Sequence, residues 1–388
     1  MKVLSTRIRI RLRPALLSLI VVGAPQAFAQ AVDPVRVDVQ PELEPELDAT
    51  IKQTLNVARY TMQNLALPRE GGEEFGLAVA FDGVDYTLNL RPHSIRAPGF
   101  TVLVQGADGT FRMVEPPAET TYRGEVVGLP GSFVTASLED GRLSATITLP
   151  DGVNPTWAIQ PLSDIIDNAP PAGHVIYNAA DTVPGNWFCG VNDGLVQDIG
   201  AHPGVVLNTA GDNNGFLVCE IAFDADFEYY QLNGSSVSAT VTDINEIINL
   251  CSAIYERDSL VQLIVTSIIV RESEPDPYFR DDPFELMEEF RSEWRTNQTG
   301  VPRDIAHFFT GKDIAAASGG IIGLAFVDVL CSTDFGYGLS QSQFTTNLTS
   351  RVALITVILL SIFRFLRSAQ GRHRGPGAGP GTATSPER

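Results

Sequence analysis

The chain has 388 residues, 44% of them hydrophobic, and a formal charge of −19. That length and apolar content give enough material for two domains with cores and argue against a disordered chain. The acidic balance repels phosphate backbones and argues against nucleic acid as a partner.

In chain order, residues 1–29 read as a secretory signal. Lys2, Arg7, Arg9, Arg11 and Arg13 form a basic start, Ala15 to Ala24 an apolar stretch, and Ala27-Phe28-Ala29 a small-residue cleavage site. Removing them takes the formal charge from −19 to −24, because they carry five basic residues and no acid. The expected location is outside the cell or in the periplasm, where cysteines can pair. Residues 30–75 form an N-terminal segment, rich in Pro, Glu and Asp over 32–48, with a helix expected over 49–64.

Residues 76–165 alternate apolar and polar positions with turns such as Asp140-Gly141 and Asp151-Gly152. Period two with Asp-Gly turns predicts an all-β module of antiparallel strands. Residues 166–213 are rich in Pro, Gly, Asn and Asp and read as a linker, with one ordered patch over Asn186–Val191. No internal repeat is visible.

From residue 214 to 363 strands and helices alternate. FLVCEIAF and VQLIVTSIIV read as buried strands, and DIAHFFT and GIIGLAFVD as two more. Residues 236–255 carry helical spacing behind a serine cap. DDPFELMEEFRSEWR opens with acids and places Pro283 in its first turn, a helix start. A last helix is expected over FTTNLTSRVALITVILLSIF. The fold class expected is α+β or α/β: a β-rich module, then a mixed sheet with helices. Residues 364–388 form a low-complexity tail expected to be disordered. The apolar run Val352–Phe363 has 12 residues between Arg351 and Arg364. A spanning helix needs about 20, so no membrane span is expected.

Two segments carry a family likeness. YRGEVVGLPGSFVTASLEDGRLSATITLPDG with WAIQPL resembles the prodomain of reprolysin-like (adamalysin, M12B-type) zinc metallopeptidase zymogens. CEIAFDADFEYYQ, IYERD, DIAHFFTGKDI, GLAFVDVLCS, FGYGLSQ and NLTSRVAL, in that order, resemble the bacterial branch of the same metzincin family. The resemblance implies a prodomain, the N-terminal part of a metzincin-type catalytic domain, zinc, and a protein or peptide substrate. In intact relatives the last helix carries H-E-x-x-H-x-x-G-x-x-H. Histidines four apart share one helix face and reach one Zn²⁺, and the glutamate primes the zinc-bound water as general base. Laid on that motif, Val357 falls at the first histidine, Ile358 at the glutamate and Ser361 at the second histidine. No catalytic or zinc-binding residue is therefore carried over, no zinc is expected to be bound, and no cleavage is expected. The sequence is expected to stop before the motif, by a frameshift or a premature stop.

The remaining candidates are cysteines, histidines and acids. Four cysteines, Cys189, Cys219, Cys251 and Cys331, allow three full pairings, and spacing does not choose among them. The resemblance implies that Cys189, in NWFCGVND, is the prodomain cysteine that holds relatives latent as a zinc-bound thiolate; the alternative is a structural half-cystine. It also implies that Cys331 pairs, in relatives, with a cysteine beyond the zinc motif. Cys219 and Cys251 could bond a strand to the following helix, or stay reduced in the core. His93, His174, His202, His307 and His373 include no helix neighbours, and His307 on an apolar strand reads as a packed core residue. Glu272, Glu274, Asp276, Asp281 and Asp282 could bind Ca²⁺, although a solvated acidic loop fits their spacing better. Asn233, Asn297 and Asn347 head glycosylation triplets. FGYGLSQ lacks the G-x-S-x-G of a serine nucleophile and reads as a loop.

Two functions compete at this point. One is a secreted zymogen-type metallopeptidase relative without its chemistry. The other is a non-enzymatic secreted module that binds or inhibits a protease.

Overall fold

A computed structural model describes residues 45–69, 71–150, 156–190 and 216–363. The export signal, residues 191–213 of the linker, the Asp151-Gly152 turn, His202, His373 and the tail lie outside the described residues.

Helix α1 (Pro45–Leu55) buries Ile51 and Leu55. It ends sooner than the expected 49–64 helix, because Asn56 turns left-handed at φ 52°, a conformation Asn tolerates. Beyond it Thr61–Asn64 is a strand, β1. The β-rich region follows as β2 (Phe75–Phe81), β3 (Val84–Pro92), β4 (Arg96–Gln105), β5 (Phe111–Val114), β6 (Thr121–Val126), β7 (Phe133–Glu139), β8 (Arg142–Thr148) and β9 (Thr156–Pro161). β10 (Gly173–Asn178) is buried along its whole length and pairs with both β1 and β9. The linker reading of that stretch is therefore corrected: its short apolar run HVIY sits inside a sheet. β11 (Phe188–Cys189) is the ordered patch.

The second half runs β12 (Leu217–Ala225), α2 (Phe227–Leu232), α3 (Val237–Ser259), β13 (Val261–Arg271), α4 (Pro283–Thr296), β14 (Ile305–Phe309), α5 (Ile314–Ser318), β15 (Ile321–Ala325), β16 (Tyr337–Ser340) and α6 (Leu348–Ile362). Ser236, Asp282 and Asn347 cap α3, α4 and α6 with their side chains, as polar residues ahead of helical spacing dictate.

The strands form two eight-stranded sheets. The first is antiparallel, in the order β1-β10-β9-β8-β7-β6-β3-β2. The second is mixed, in the order β11-β15-β16-β14-β12-β13-β4-β5. The β4–β5 hairpin thus leaves its sequence neighbours and extends the second sheet, with β4 parallel to β13. An independent β module over 76–165 is not what the chain builds. Arg271 explains the attachment: it bonds Gln105 of β4 and stacks over Phe111 of β5, while Arg112 of β5 pairs with Glu272 at 2.5 Å.

On one face of the second sheet, α3 and α6 close the largest apolar core, around Phe223, Ile248, Val265, Ile355 and Ile358. On the other face α4 packs Phe290 and Trp294 against Phe308 and Tyr337. Helix α3 is buried all round. Val241, Ile244, Ile248 and Cys251 face the second sheet's core, while Thr242, Asn245, Asn249 and Ser252 are buried too. That polar stripe recurs at helical spacing and meets buried polar residues of the first sheet, among them Thr135, Ser137, Ser144 and Gln160. Asn249 Nδ2 donates to the Ala136 carbonyl at 2.9 Å across the seam.

Candidate functional site

The last helix is where the chemistry would lie. Asn347 is fully buried; its Oδ1 accepts the Ser350 amide at 2.9 Å and its Nδ2 donates to the Leu55 carbonyl at 2.7 Å. Gln160 of β9 accepts the Leu348 amide at 2.9 Å. The first sheet therefore caps the start of α6, and the glycosylation triplet at Asn347 is enclosed.

Along α6, Val352, Ile355, Ile358, Leu359 and Ile362 are buried, whereas Val357 and Leu360 are exposed by 47% and 41%. Val357 and Ser361, four apart, share the outer face. Two imidazoles could meet one ion there, but a branched hydrocarbon and a hydroxyl stand in their places. The Ser361 hydroxyl donates to the Val357 carbonyl at 3.0 Å, which turns it onto its own helix. Ile358 is fully buried over the glycines of two strands. A Cβ at Gly323 would lie 2.4 Å from Ile358 Cδ1, and one at Gly338 would lie 3.0 Å from Ile358 Cγ2. The donor set of α6 does not fit zinc, and no carboxylate replaces Ile358.

Beside α6 lies one end of the second sheet. β15 runs antiparallel to β16, and β11 covers its outer side in the parallel sense. The Phe188 amide donates to Gly320 O at 2.9 Å, and the Gly190 amide to Gly323 O at 2.8 Å. Trp187 anchors this strap against Phe344, ring centroids 5.2 Å apart.

Residues 241–358 match the family model for metallo-peptidase family M12B, reprolysin-like. That segment belongs to the reprolysin-like metallopeptidases. No curated protein matches the sequence. Among solved structures, metalloproteinase-II from Bacteroides fragilis matches at 12% identity over 74% of this chain and 80% of that one, with a TM-score of 0.38. A chain from a chaperone–substrate complex matches at 12% identity over 36% of this chain, with a TM-score of 0.28. This chain spans 23% of the length of that one. Both likenesses are too distant to bear on the fold.

The reprolysin-like segment and its flanks gather some of the sequence candidates and disperse others. Cys189 is half-buried on the strap, opposite Gly323. Burial pushes its thiol up to about 11. All four cysteines are free. The bond left open between Cys219 and Cys251 is not formed; Cys251 instead joins α3 to α6, donating to Val352 O at 3.6 Å and accepting from Thr356 Oγ1 at 3.5 Å. Cys331 is exposed and donates to Asp304 at 3.4 Å.

The described histidines stand apart. His174 on β10 bonds Ala172 O and accepts the Leu143 amide at 3.0 Å. His307 on β14 lies fully buried beside Phe223 and Phe309, bonded to Ser340 at 3.0 Å, as a core histidine should be. Burial holds His93 and His174 down at about 4 and His307 at about 3.

The acidic loop is absorbed by structural partners. Glu272 pairs with Arg112, Asp276 accepts the Phe227 and Tyr278 amides, and Asp282 caps α4. Glu274 and Asp276 do meet Glu228 closely enough to enclose a cation, but Lys312 Nζ already sits 2.6 Å from Glu228. Among the described residues no helix is long and apolar enough to cross a membrane.

Two parts of this site escaped the sequence reading. β16 reads as a loop because Tyr337–Ser340 is short and contains glycine, yet all four residues are buried. Of the seam residues, Gln160 carried no motif and Asn347 only a glycosylation triplet, which says nothing of its place in the seam. Their signal was a lone amide in an otherwise apolar strand and a cap ahead of an apolar helix.

Proposed function

We propose that the chain is an exported, zymogen-type relative of the reprolysin-like peptidases that keeps the scaffold without the zinc chemistry. The observation that carries this reading is Ile358, packed into the core where the family's general base would stand. An apolar side chain there cannot take a proton from a metal-bound water, and its neighbours Val357 and Ser361 supply no imidazole. The seated apolar face of α6 supports a chain that folds without catalysing, which favours a binding role over a broken peptidase.

The strap supports the zymogen-type half of the reading. An extended peptide adds to a sheet by pairing with an exposed edge, and β11 already occupies the edge at β15. Cys189 rides on that strap, and the latency role that the family resemblance implies for it is part of this reading. The partners expected are extended polypeptides, held and not cut.

The test is peptide binding with the strap weakened. Phe188→Pro removes the donor to Gly320 O and disfavours strand pairing. Fluorescence polarisation with a labelled unfolded peptide should show binding to the variant and little to the parent chain, with no cleavage in either. Equal binding by both would sink the occluded-edge reading, and cleavage by either would sink the non-catalytic one.

A further inference from the structure

The seam between the first sheet and helices α3 and α6 encloses a polar cavity of about 450 Å³. Its charged groups come from both sides. Glu139 on β7, Arg142 on β8 and Asp164 after β9 face it from the first sheet; Asp243 and Glu246 on α3 and Arg351 on α6 face it from the second. Four carboxyls thus meet two guanidinium groups.

The pairing is uneven. Arg351 holds Asp243 at 2.7 Å, where Tyr229 of α2 also donates to that carboxylate. Arg142 holds Glu139 at 2.9 Å and reaches Asp164 only at 3.7 Å. Glu246 has no basic partner within ion-pair distance among the described residues; its neighbours are Asp243 and Asp164, offset in part by the more distant Arg351 and by the Ser144 hydroxyl. Further along the same seam, Arg123 pairs with Glu256 at 3.4 Å, so that end is balanced. The surplus of negative charge is local to the cavity, at Asp164 and Glu246.

We propose that the seam is a proton-operated latch, closed when Asp164 and Glu246 are neutral and loosened when both carry charge. The seam is held by hydrogen bonds, such as Asn249 to the Ala136 carbonyl and the Leu348 amide to Gln160, so like charge facing like charge across the cavity works directly against those bonds. Burial, with Asp243 adding to it, pushes Glu246 up to about 8, and burial pushes Asp164 up to about 6. The closed seam therefore binds protons that the separated surfaces release. Its stability is full below about pH 4, where the separated carboxyls are protonated too, and is lost as pH rises to about 6 for Asp164 and about 8 for Glu246. The latch needs neither metal nor ligand, and it stands independently of the peptide-edge reading.

The test is hydrogen exchange on the full chain at about pH 5.5 and about pH 8.5, corrected for intrinsic exchange, since the two values bracket both transitions. Amides of β8 and of α3 near Asp243–Glu246 should lose protection by at least about tenfold at the higher pH, while those of β13 hold. D164N/E246Q should keep the acid-form protection at both values, and E246Q alone should keep most of it, which covers a failure of the double variant to fold. Equal protection of the parent chain at both values overturns the proposal. So does an unchanged loss in E246Q.

Discussion

Ile358 of α6 rests on Gly323 of β15 so closely that a single added methyl at the glycine would lie 2.4 Å from Ile358 Cδ1. Helix and strand are matched as knob and hollow at this position. Gly323→Ala should destabilise the chain by about 1–3 kcal/mol through overpacking. Ile358→Ala should cost about 2–5 kcal/mol through the cavity it leaves. Urea midpoints of the two variants read both effects, and a neutral Gly323→Ala would mean that the helix does not sit as described.

The buried pair Asp224–Arg271 ties the second sheet to the β4–β5 hairpin. Asp224 accepts from Arg271 at 2.7 and 3.0 Å, from Tyr278 at 2.6 Å and from Trp294 at 2.9 Å, with both charged side chains 1% exposed or less. Asp224→Ala strands all three donors in the core. A loss of about 3–5 kcal/mol is expected, the range for breaking a buried pair. Exchange protection in β4 should fall with it, because Gln105 shares the same guanidinium. A loss under about 1 kcal/mol, the range for exposed pairs, would contradict this placement.

His174 predicts an acid limb in the stability profile. Its pKa is held down at about 4 by burial, against 6.5 for an unperturbed imidazole. The unfolded chain therefore binds a proton that the folded chain refuses. The stability contributed is full above about 6.5 and is lost as pH falls towards 4. His174→Gln should flatten that limb in melting temperatures measured across the window. A variant as acid-sensitive as the parent chain would assign the limb elsewhere.

The thiols predict an order of labelling. Cys331 is exposed, but burial of its sulfur and the Asp304 carboxylate beside it push it up to about 12, so it should react slowly, and ahead of Cys219 and Cys251. Cys219 and Cys251 should react only on unfolding. Alkylation followed by peptide mass mapping checks the order, and a disulfide between Cys219 and Cys251 in the native protein would contradict it.

The sequence showed most of the second half plainly. β12, α3, β13, α4 and β14 follow from apolar period, β-branched runs and side-chain caps, which are local signals. What stayed hidden was non-local. Nothing within residues 96–114 says that this hairpin pairs with β13, because the partner Arg271 lies far along the chain. β10 was lost among Pro and Gly, and β16 within a glycine-containing loop, because their strand character comes from burial between neighbours. The latch carboxyls carried no motif either. Glu246 sits on a helix that looks amphipathic until the first sheet covers its polar side.

Zinc content and proteolysis of the purified chain test the central claim most directly. Metal analysis after dialysis against zinc should find far less than one ion per molecule, and an unfolded casein substrate should survive with or without chelator. One tightly held zinc per chain, together with digestion that a chelator stops, would contradict the account.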